Sequence, residues 1–221
     1  TVADDVRQVF TVSDNDAYNR LYELLGRDYV NTRMKELGLL PFRLAHRLST
    51  AKSAEAQRDS LVFETKDRIV LGGGIDSPIT ALPLKNAQKG IGYLSEGTFI
   101  NSPMDFSRKN YFPLKTQHEL MKRLFFPEVY PKKKQLALSE ASHSLLTEAM
   151  SKLPSQQGYD SEEYYDSYVK FFLFGDSKEK ISDQFKIYNK VGYAYGTISE
   201  TAYITDLENG IEFLLSATIL V

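Results

Sequence analysis

The sequence contains no cysteine among its 221 residues. This absence excludes thiol catalysis, zinc–thiolate sites and disulfide bridges. With 27 basic and 29 acidic residues the formal charge is −2, so no basic excess indicates nucleic acid as a partner. No apolar run approaches the roughly 20 residues that a membrane-spanning helix needs, and we predict no membrane span in this chain.

Metal and cofactor signals are also missing. The three histidines, His46, His118 and His143, are scattered and share no metal-ligand spacing. The run Gly72-Gly73-Gly74 is followed by neither a Lys-Ser/Thr pair nor a helix pattern, so it does not predict a phosphate-binding loop. We therefore predict no metal and no cofactor.

The composition is that of a globular protein. The chain is 42% hydrophobic and 25% charged, and its length is enough to bury a core without a metal or a disulfide. We predict a single domain over residues 1–221. The apolar run at its C-terminal end would need a cover, so we expect the natural domain to be longer than this chain.

A helical apolar period predicts a short helical hairpin near the N-terminus. The first helix ends at Gly26, and its apolar face consists of Tyr18, Leu21, Tyr22 and Leu25. The second helix runs from about residue 28 to 37 and ends at Gly38. Any residue of Ser13-Asp14-Asn15 could be the N-cap of the first helix.

The pattern changes after this hairpin. Residues 49–105 combine short strand-like runs with many Gly and Pro residues, which predicts a loop-rich insertion with β-hairpins. Helical periodicity returns at 114–125 and 139–153. Three strands follow, at about 185–193, 196–206 and 211–221, with an Asn209-Gly210 hairpin turn before the last. Helices followed by an antiparallel meander predict an α+β fold.

Two short motifs stand out because of where they lie. Ser13-Asp14-Asn15 is an S-D-N triplet just before a helix, and Lys190-Val191-Gly192 is a K-x-G triplet on the strand that begins the meander. Each triplet alone would recur by chance. Their order and their structural context resemble the penicillin-recognising serine hydrolases, which comprise the class A β-lactamases and the penicillin-binding proteins.

The resemblance extends beyond the triplets, over residues 12–42 and 107–221, with the insertion outside it. It implies an antiparallel sheet packed with helices, as in β-lactamases and transpeptidases. It also implies a bacterial, extracytoplasmic protein that acts on a small-molecule or peptide-like substrate. The oligomeric state is left open.

The resemblance assigns roles to four residues. Ser13 and Lys190 would be catalytic: Ser13 relays a proton to the leaving nitrogen, and Lys190 is its partner and holds the substrate carboxylate. Asn15 and Gly192 would bind substrate, the first through the amide oxygen and the second by letting the substrate approach the strand. Asp14 would point away and hold the loop.

The sequence departs from the family pattern at the nucleophile, which belongs to an S-x-x-K motif before S-D-N. Only twelve residues precede Ser13. The string Ser49-Thr50-Ala51-Lys52 matches the pattern but follows S-D-N, so we interpret it as a coincidence. Ser177-Lys178-Glu179-Lys180 is a weaker match in a charged loop. We predict that the nucleophile lies outside this chain and that the chain alone is inactive.

Two further departures concern turnover and specificity. Where class A enzymes carry the E-x-x-L-N base for deacylation, this chain reads Arg43-Leu44-Ala45-His46-Arg47-Leu48. Val191 replaces the usual hydroxyl residue of K-T-G and loses one hydrogen bond, worth about 1 kcal/mol. The leading hypothesis is a serine hydrolase that cleaves an amide or ester through an acyl-enzyme. The alternatives are a non-catalytic relative that binds a peptide or cell-wall ligand, and an unrelated α+β domain with chance triplets.

Overall fold

The computed structural model describes residues 1–64, 66–95 and 97–220, and in these ranges the chain has the predicted α+β architecture. Val221, the last residue of the predicted third strand, lies outside the described residues. The longer helices are α1 (Val2–Thr11), α2 (Asn15–Leu25), α3 (Arg27–Glu36), α4 (Leu114–Phe125) and α5 (Glu140–Ser151).

The strands form small antiparallel sheets. The six short strands of the predicted insertion are β1 (Leu61–Phe63), β2 (Ile69–Leu71), β3 (Gln88–Lys89), β4 (Tyr93–Ser95), β5 (Thr98–Ile100) and β6 (Met104–Asp105). The three long strands are β7 (Phe185–Ala194), β8 (Thr197–Asp206) and β9 (Ile211–Leu220). Shorter helical turns span Pro127–Val129, Lys132–Lys134, Pro154–Gln157, Asp166–Val169 and Phe171–Phe174.

The N-terminal helices confirm the predicted hairpin and add a helix before it. Helix α1 begins with a capping box, in which the Thr1 hydroxyl accepts a hydrogen bond from the Asp4 amide, and it packs against α2 and α5. Gly26 and Gly38 end α2 and α3 as predicted, both with positive φ angles of 74° and 67°.

Helices α4 and α5 cover one face of the three-stranded sheet. The sheet is an antiparallel meander with β8 in the centre, and the turn after β8 contains the predicted Asn209-Gly210 pair, with φ 63° at Gly210. The core on this face is formed by α4, α5 and the sheet; its residues are Met121, Leu124, Met150, Tyr188, Tyr203 and Leu214. Burial of these apolar side chains fixes both helices on the sheet.

The opposite face of the sheet is covered by residues 166–174, which the sequence analysis left without a role. Phe172 and Phe174 pack there against Ile187, Ala202 and Ile204. Leu173 has a φ angle of 67°, which interrupts the helix. The segment is therefore an irregular stretch of chain that crosses this face of the sheet. We call residues 166–174 the sheet strap.

Two buried arginines join the predicted insertion to the N-terminal helices. Arg47 forms an ion pair with Glu23 of α2, and both side chains are nearly fully buried. The same guanidinium donates to the carbonyls of Lys52, Glu55 and Gln57 in the predicted insertion. The Arg27 amide donates to Asp76 Oδ2 at 3.4 Å, and the Arg27 guanidinium donates to the Ser77 carbonyl. The assignment of residues 49–105 as an insertion into one domain stays a prediction. Within the described ranges, no helix has the length and apolar character needed to cross a membrane.

Candidate active site

Ser13 lies in the turn between α1 and α2, in the left-handed region of backbone space. Its φ angle is 56°, which is uncommon for a residue other than glycine and marks local strain of the kind found at functional sites. The Ser13 side chain reaches the sheet, where Oγ accepts a hydrogen bond of 2.7 Å from Lys190 Nζ of β7. The two residues are 177 positions apart in the sequence.

The Lys190 ammonium makes two hydrogen bonds. Besides Ser13, its ammonium donates to the Val191 carbonyl at 2.9 Å. Burial lowers the pKa of Lys190 from 10.5 to about 8, because desolvation penalises the charged form. The residue therefore remains mostly protonated at neutral pH but can release its proton at little cost.

Asn15 is the first residue of α2 and contacts Ser49, the serine of the S-x-x-K string that was interpreted as a coincidence. Its Nδ2 donates to Ser49 Oγ at 3.0 Å, and Ser49 also has a positive φ angle, 50°. Ser49 and Lys52 do not form the helical turn of an S-x-x-K motif, because residues 48–54 are bends and turns and Lys52 pairs with Asp59 at 3.2 Å. Ser49 therefore contacts the predicted site residue Asn15, but Lys52 is not its base.

Gly192 lies on β7 two residues after Lys190, and the Ser199 side chain packs over it. A Cβ at this position would stand 2.8 Å from Ser199 Oγ on β8, which is closer than real Cβ contacts allow. A side chain here would therefore displace Ser199 or close the surface beside Lys190.

Asp14 caps α2. Its Oδ1 accepts a hydrogen bond of 2.6 Å from the Ala17 amide. Because this bond satisfies an otherwise unpaired amide and holds the Ser13 turn, Asp14→Ala is expected to lower the free energy of unfolding by about 1 kcal/mol. Urea denaturation measures the loss. The control is Asp16→Ala, which removes an exposed carboxylate two residues later in the chain. Equal losses of unfolding free energy in both variants would contradict the capping role.

A groove of about 780 Å³ opens beside Ser13, and Lys190 and Gly192 are not among its described lining residues. Ser13 and Asn15 line one part of it, and the sheet strap and the sheet line the rest. Most of the described lining is apolar or aromatic; the polar lining residues are Ser13, Asn15, Ser199 and Glu200. This size lies within the range of ligand sites in proteins.

A buried polar network lies behind the groove and was not predicted. Lys170 of the sheet strap is fully buried, and its ammonium donates to Met150 O, Ile187 O and Asn189 Oδ1 at 2.7, 2.9 and 2.6 Å. Asn189 Nδ2 in turn donates to Glu200. Burial lowers the pKa of Lys170 and raises that of Glu200. The sequence signals for this network are a lysine inside the apolar run 169–174 and the S-x-x-K string Ser167-Tyr168-Val169-Lys170, which ends at that lysine.

His46, which occupies the stretch of the missing deacylation base, is bound to the backbone. Its Nδ1 lies 2.7 Å from the Arg47 carbonyl oxygen, and burial lowers its pKa. The His46 carbonyl accepts hydrogen bonds from Tyr18 and Asn110. These contacts fix the segment rather than prepare the ring to activate a water.

Comparison with known proteins gives one family. Residues 1–72 match the Beta-lactamase2 model, described as a β-lactamase enzyme family. The match confirms the resemblance to β-lactamases and penicillin-recognising serine hydrolases for the N-terminal part of the chain, which includes Ser13 and Asn15. It extends over residues 49–72, which the predicted resemblance placed outside, and it does not reach residues 107–221, so Lys190 and Gly192 stay predictions. No curated protein matches the chain.

Proposed function

We propose that this chain carries the proton-relay and substrate-binding half of a β-lactamase-type serine hydrolase that cleaves an amide or ester through an acyl-enzyme. The 2.7 Å hydrogen bond from Lys190 Nζ to Ser13 Oγ carries the proposal. This bond joins the S-D-N motif to the K-x-G motif. Ser13 also lines a groove of ligand size.

Ser13 is the proton relay in this mechanism. Because Lys190 donates to Ser13 Oγ, the Ser13 hydroxyl proton is free to point away from the lysine and toward a bound substrate. When the carbon–nitrogen bond of the substrate breaks, the nitrogen takes the Ser13 proton, and Lys190 replaces it. The lowered pKa of Lys190, about 8, makes this transfer inexpensive near neutral pH.

Lys190, Asn15 and Gly192 bind the substrate. The Lys190 ammonium attracts a substrate carboxylate. Gly192 has no side chain, so the substrate can approach β7 on the side that Ser199 does not fill. The Asn15 carboxamide contacts the substrate amide, and its bond to Ser49 orients it. Val191 offers no hydroxyl to the carboxylate, so Lys190 bears most of that interaction.

The nucleophilic serine comes from outside these 221 residues in this proposal. Three S-x-x-K strings occur in the chain, and all of them follow S-D-N. In the string at Ser49 the lysine pairs with Asp59 and the serine accepts from Asn15. In the string at Ser167 the serine donates to the Ser177 carbonyl and Lys170 donates to Met150 O, Ile187 O and Asn189 Oδ1. The missing serine would form the ester bond with the substrate carbonyl carbon, while its proton passes to its own lysine.

Incubation with a fluorescent penicillin, followed by intact-mass measurement, tests the proposal. This chain is expected to gain no mass, whereas the product of the whole gene is expected to gain one penicillin on a serine outside these residues. In that product, Ser13→Ala should slow acylation about a hundredfold, within the range of general acid–base contributions. An adduct on Ser49 in this chain would overturn the assignment of the nucleophile.

A non-catalytic relative that binds a peptide or cell-wall ligand is the second candidate. The observation in its favour is that Ser49 and Lys52 form no catalytic pair in the described structure. It predicts that the product of the whole gene binds ligand reversibly and gains no covalent mass.

A further inference from the structure

We infer that residues 127–138 attach this protein to the surface of an anionic lipid bilayer, through the phosphate headgroups and the boundary with the acyl chains. We call these residues the basic loop. The inference is independent of the proposed function, because the basic loop shares no residue with the two motifs or with the described lining of the groove.

The basic loop carries an excess of positive charge in a chain whose formal charge is −2. Its 3-10 turn Lys132–Lys134 consists of three exposed lysines, and Glu128 is the one acidic residue of the loop sequence. Among the described residues, the lysines that form ion pairs are Lys52 and Lys152 instead. The three charges of the turn are therefore available to an external anion.

The basic loop is fixed at the end of α4 by hydrogen bonds to its backbone. Gln135 Nε2 donates to the carbonyls of Pro127 and Tyr130, both at 2.9 Å, which ties the two 3-10 turns of the loop together. Arg123 Nη1 of α4 donates to the Lys134 carbonyl at 3.2 Å. Because the backbone is already ordered, the loop loses little freedom when its lysines bind a partner.

Apolar side chains are exposed on the same loop as the lysines. Val129 is 59% exposed and Leu138 is 41% exposed. A bilayer surface stabilises both kinds of side chain, since lysines bind the anionic headgroups and apolar groups enter the boundary with the acyl chains. A nucleic acid or a soluble polyanion would use the lysines alone. The combination of charge and apolar surface therefore favours a lipid surface as the partner.

The position of the basic loop leaves the candidate active site accessible. The loop follows α4, which packs on the face of the sheet that carries Tyr203 and Leu214. Phe172 of the sheet strap lines the groove and packs on the opposite face, against Ile204. A bilayer bound at the basic loop therefore leaves the groove open to solvent.

Sedimentation of this chain with lipid vesicles tests the inference. One set of vesicles contains phosphatidylglycerol and phosphatidylcholine in equal parts, and the other contains phosphatidylcholine alone. Successive side chains of a 3-10 turn point about 120° apart, so about two of the three lysines face a flat surface. Each lysine near an anionic surface contributes about fivefold, and we expect about thirtyfold stronger partitioning onto the anionic vesicles.

Two triple variants with the same net charge locate the effect. Replacement of all three lysines of the turn by Gln (Lys132→Gln, Lys133→Gln and Lys134→Gln) should remove the preference for anionic vesicles. The control triple variant should keep it, because it replaces three exposed lysines elsewhere on the surface: Lys35→Gln, Lys180→Gln and Lys186→Gln. Equal partitioning of the wild type onto the two kinds of vesicle, or equal losses in the two triple variants, overturns the inference.

Val129→Ser and inorganic polyphosphate distinguish a lipid surface from a soluble polyanion. The variant should weaken partitioning onto anionic vesicles about threefold, through the loss of a partly buried valine, and leave any binding of polyphosphate unchanged. Vesicle binding that is unchanged in Val129→Ser, together with binding of polyphosphate, would make the loop a site for soluble polyanions and would overturn the inference. None of these measurements involves a penicillin, so the proposed function stands or fails separately.

Discussion

Replacement of Lys170 by Met is expected to lower the free energy of unfolding by about 3 kcal/mol, measured by urea denaturation at neutral pH. Met has nearly the length of Lys and keeps most of the packing, but it has no donor. Three buried acceptors, Met150 O, Ile187 O and Asn189 Oδ1, lose the ammonium that now lies within 2.9 Å of each. No water can replace it, because the Lys170 side chain is fully buried.

The same substitution should also loosen the sheet strap. Asn189 holds the strap through the Val169 carbonyl at 2.7 Å, and Glu200 holds it through the Phe172 amide. Without Lys170, Asn189 loses the donor that fixes its amide orientation, and Glu200 loses the nearby positive charge. We therefore expect the amides of residues 169–172 to exchange with deuterium faster in the variant than in the wild type.

Lys180→Ala is the matched control, because Lys180 is an exposed lysine ten positions along the chain. It should change the free energy of unfolding by less than about 0.5 kcal/mol. If Lys170→Met were as stable as Lys180→Ala, the ammonium would contribute nothing net, and the packing of Phe172 and Phe174 alone would hold the strap.

The parts of the fold that local pattern controls could be predicted from the sequence. Helix α4 has the predicted bounds, 114–125, because Pro113 and an apolar period mark it within twelve residues. The turn that ends at Gly210 was equally clear, since its φ angle of 63° is one that glycine adopts without strain. Helix α1 was missed although Val2, Val6, Val9 and Phe10 have helical spacing, because its cap is Thr1, with Asp4 in the place of the usual Glu.

The parts that depend on remote contacts could not be predicted in this way. Ser13 and Lys190 were paired through a family resemblance, since no local pattern relates residues 177 positions apart. Lys170 lies in an apolar run, and the acceptors that make its burial tolerable come from α5 and β7. The contact between Asn15 and Ser49 likewise depends on how the chain after α3 returns to α2.

Replacement of Lys190 by Ala is expected to weaken binding of benzylpenicillin to this chain about tenfold to a hundredfold at pH 6.5, as the loss of a charge-assisted hydrogen bond predicts. The effect should depend on pH. The pKa of Lys190 is lowered to about 8, so the ammonium is present below pH 8 and is lost as the pH rises through that value. The affinity of the wild type should therefore fall between about pH 7 and 9, while the ligand carboxylate stays ionised.

The alanine variant should show weak binding with no such fall, so the two affinities converge above pH 9. Lys190→Arg keeps a positive charge and should retain part of the affinity but lose the dependence on pH, since an arginine does not titrate in this range. Lys186→Ala removes an exposed lysine from the same strand and controls for net charge. If Lys190→Ala kept the pH dependence of the wild type, the titrating group would be another residue. That result would contradict a contact between the Lys190 ammonium and the ligand carboxylate.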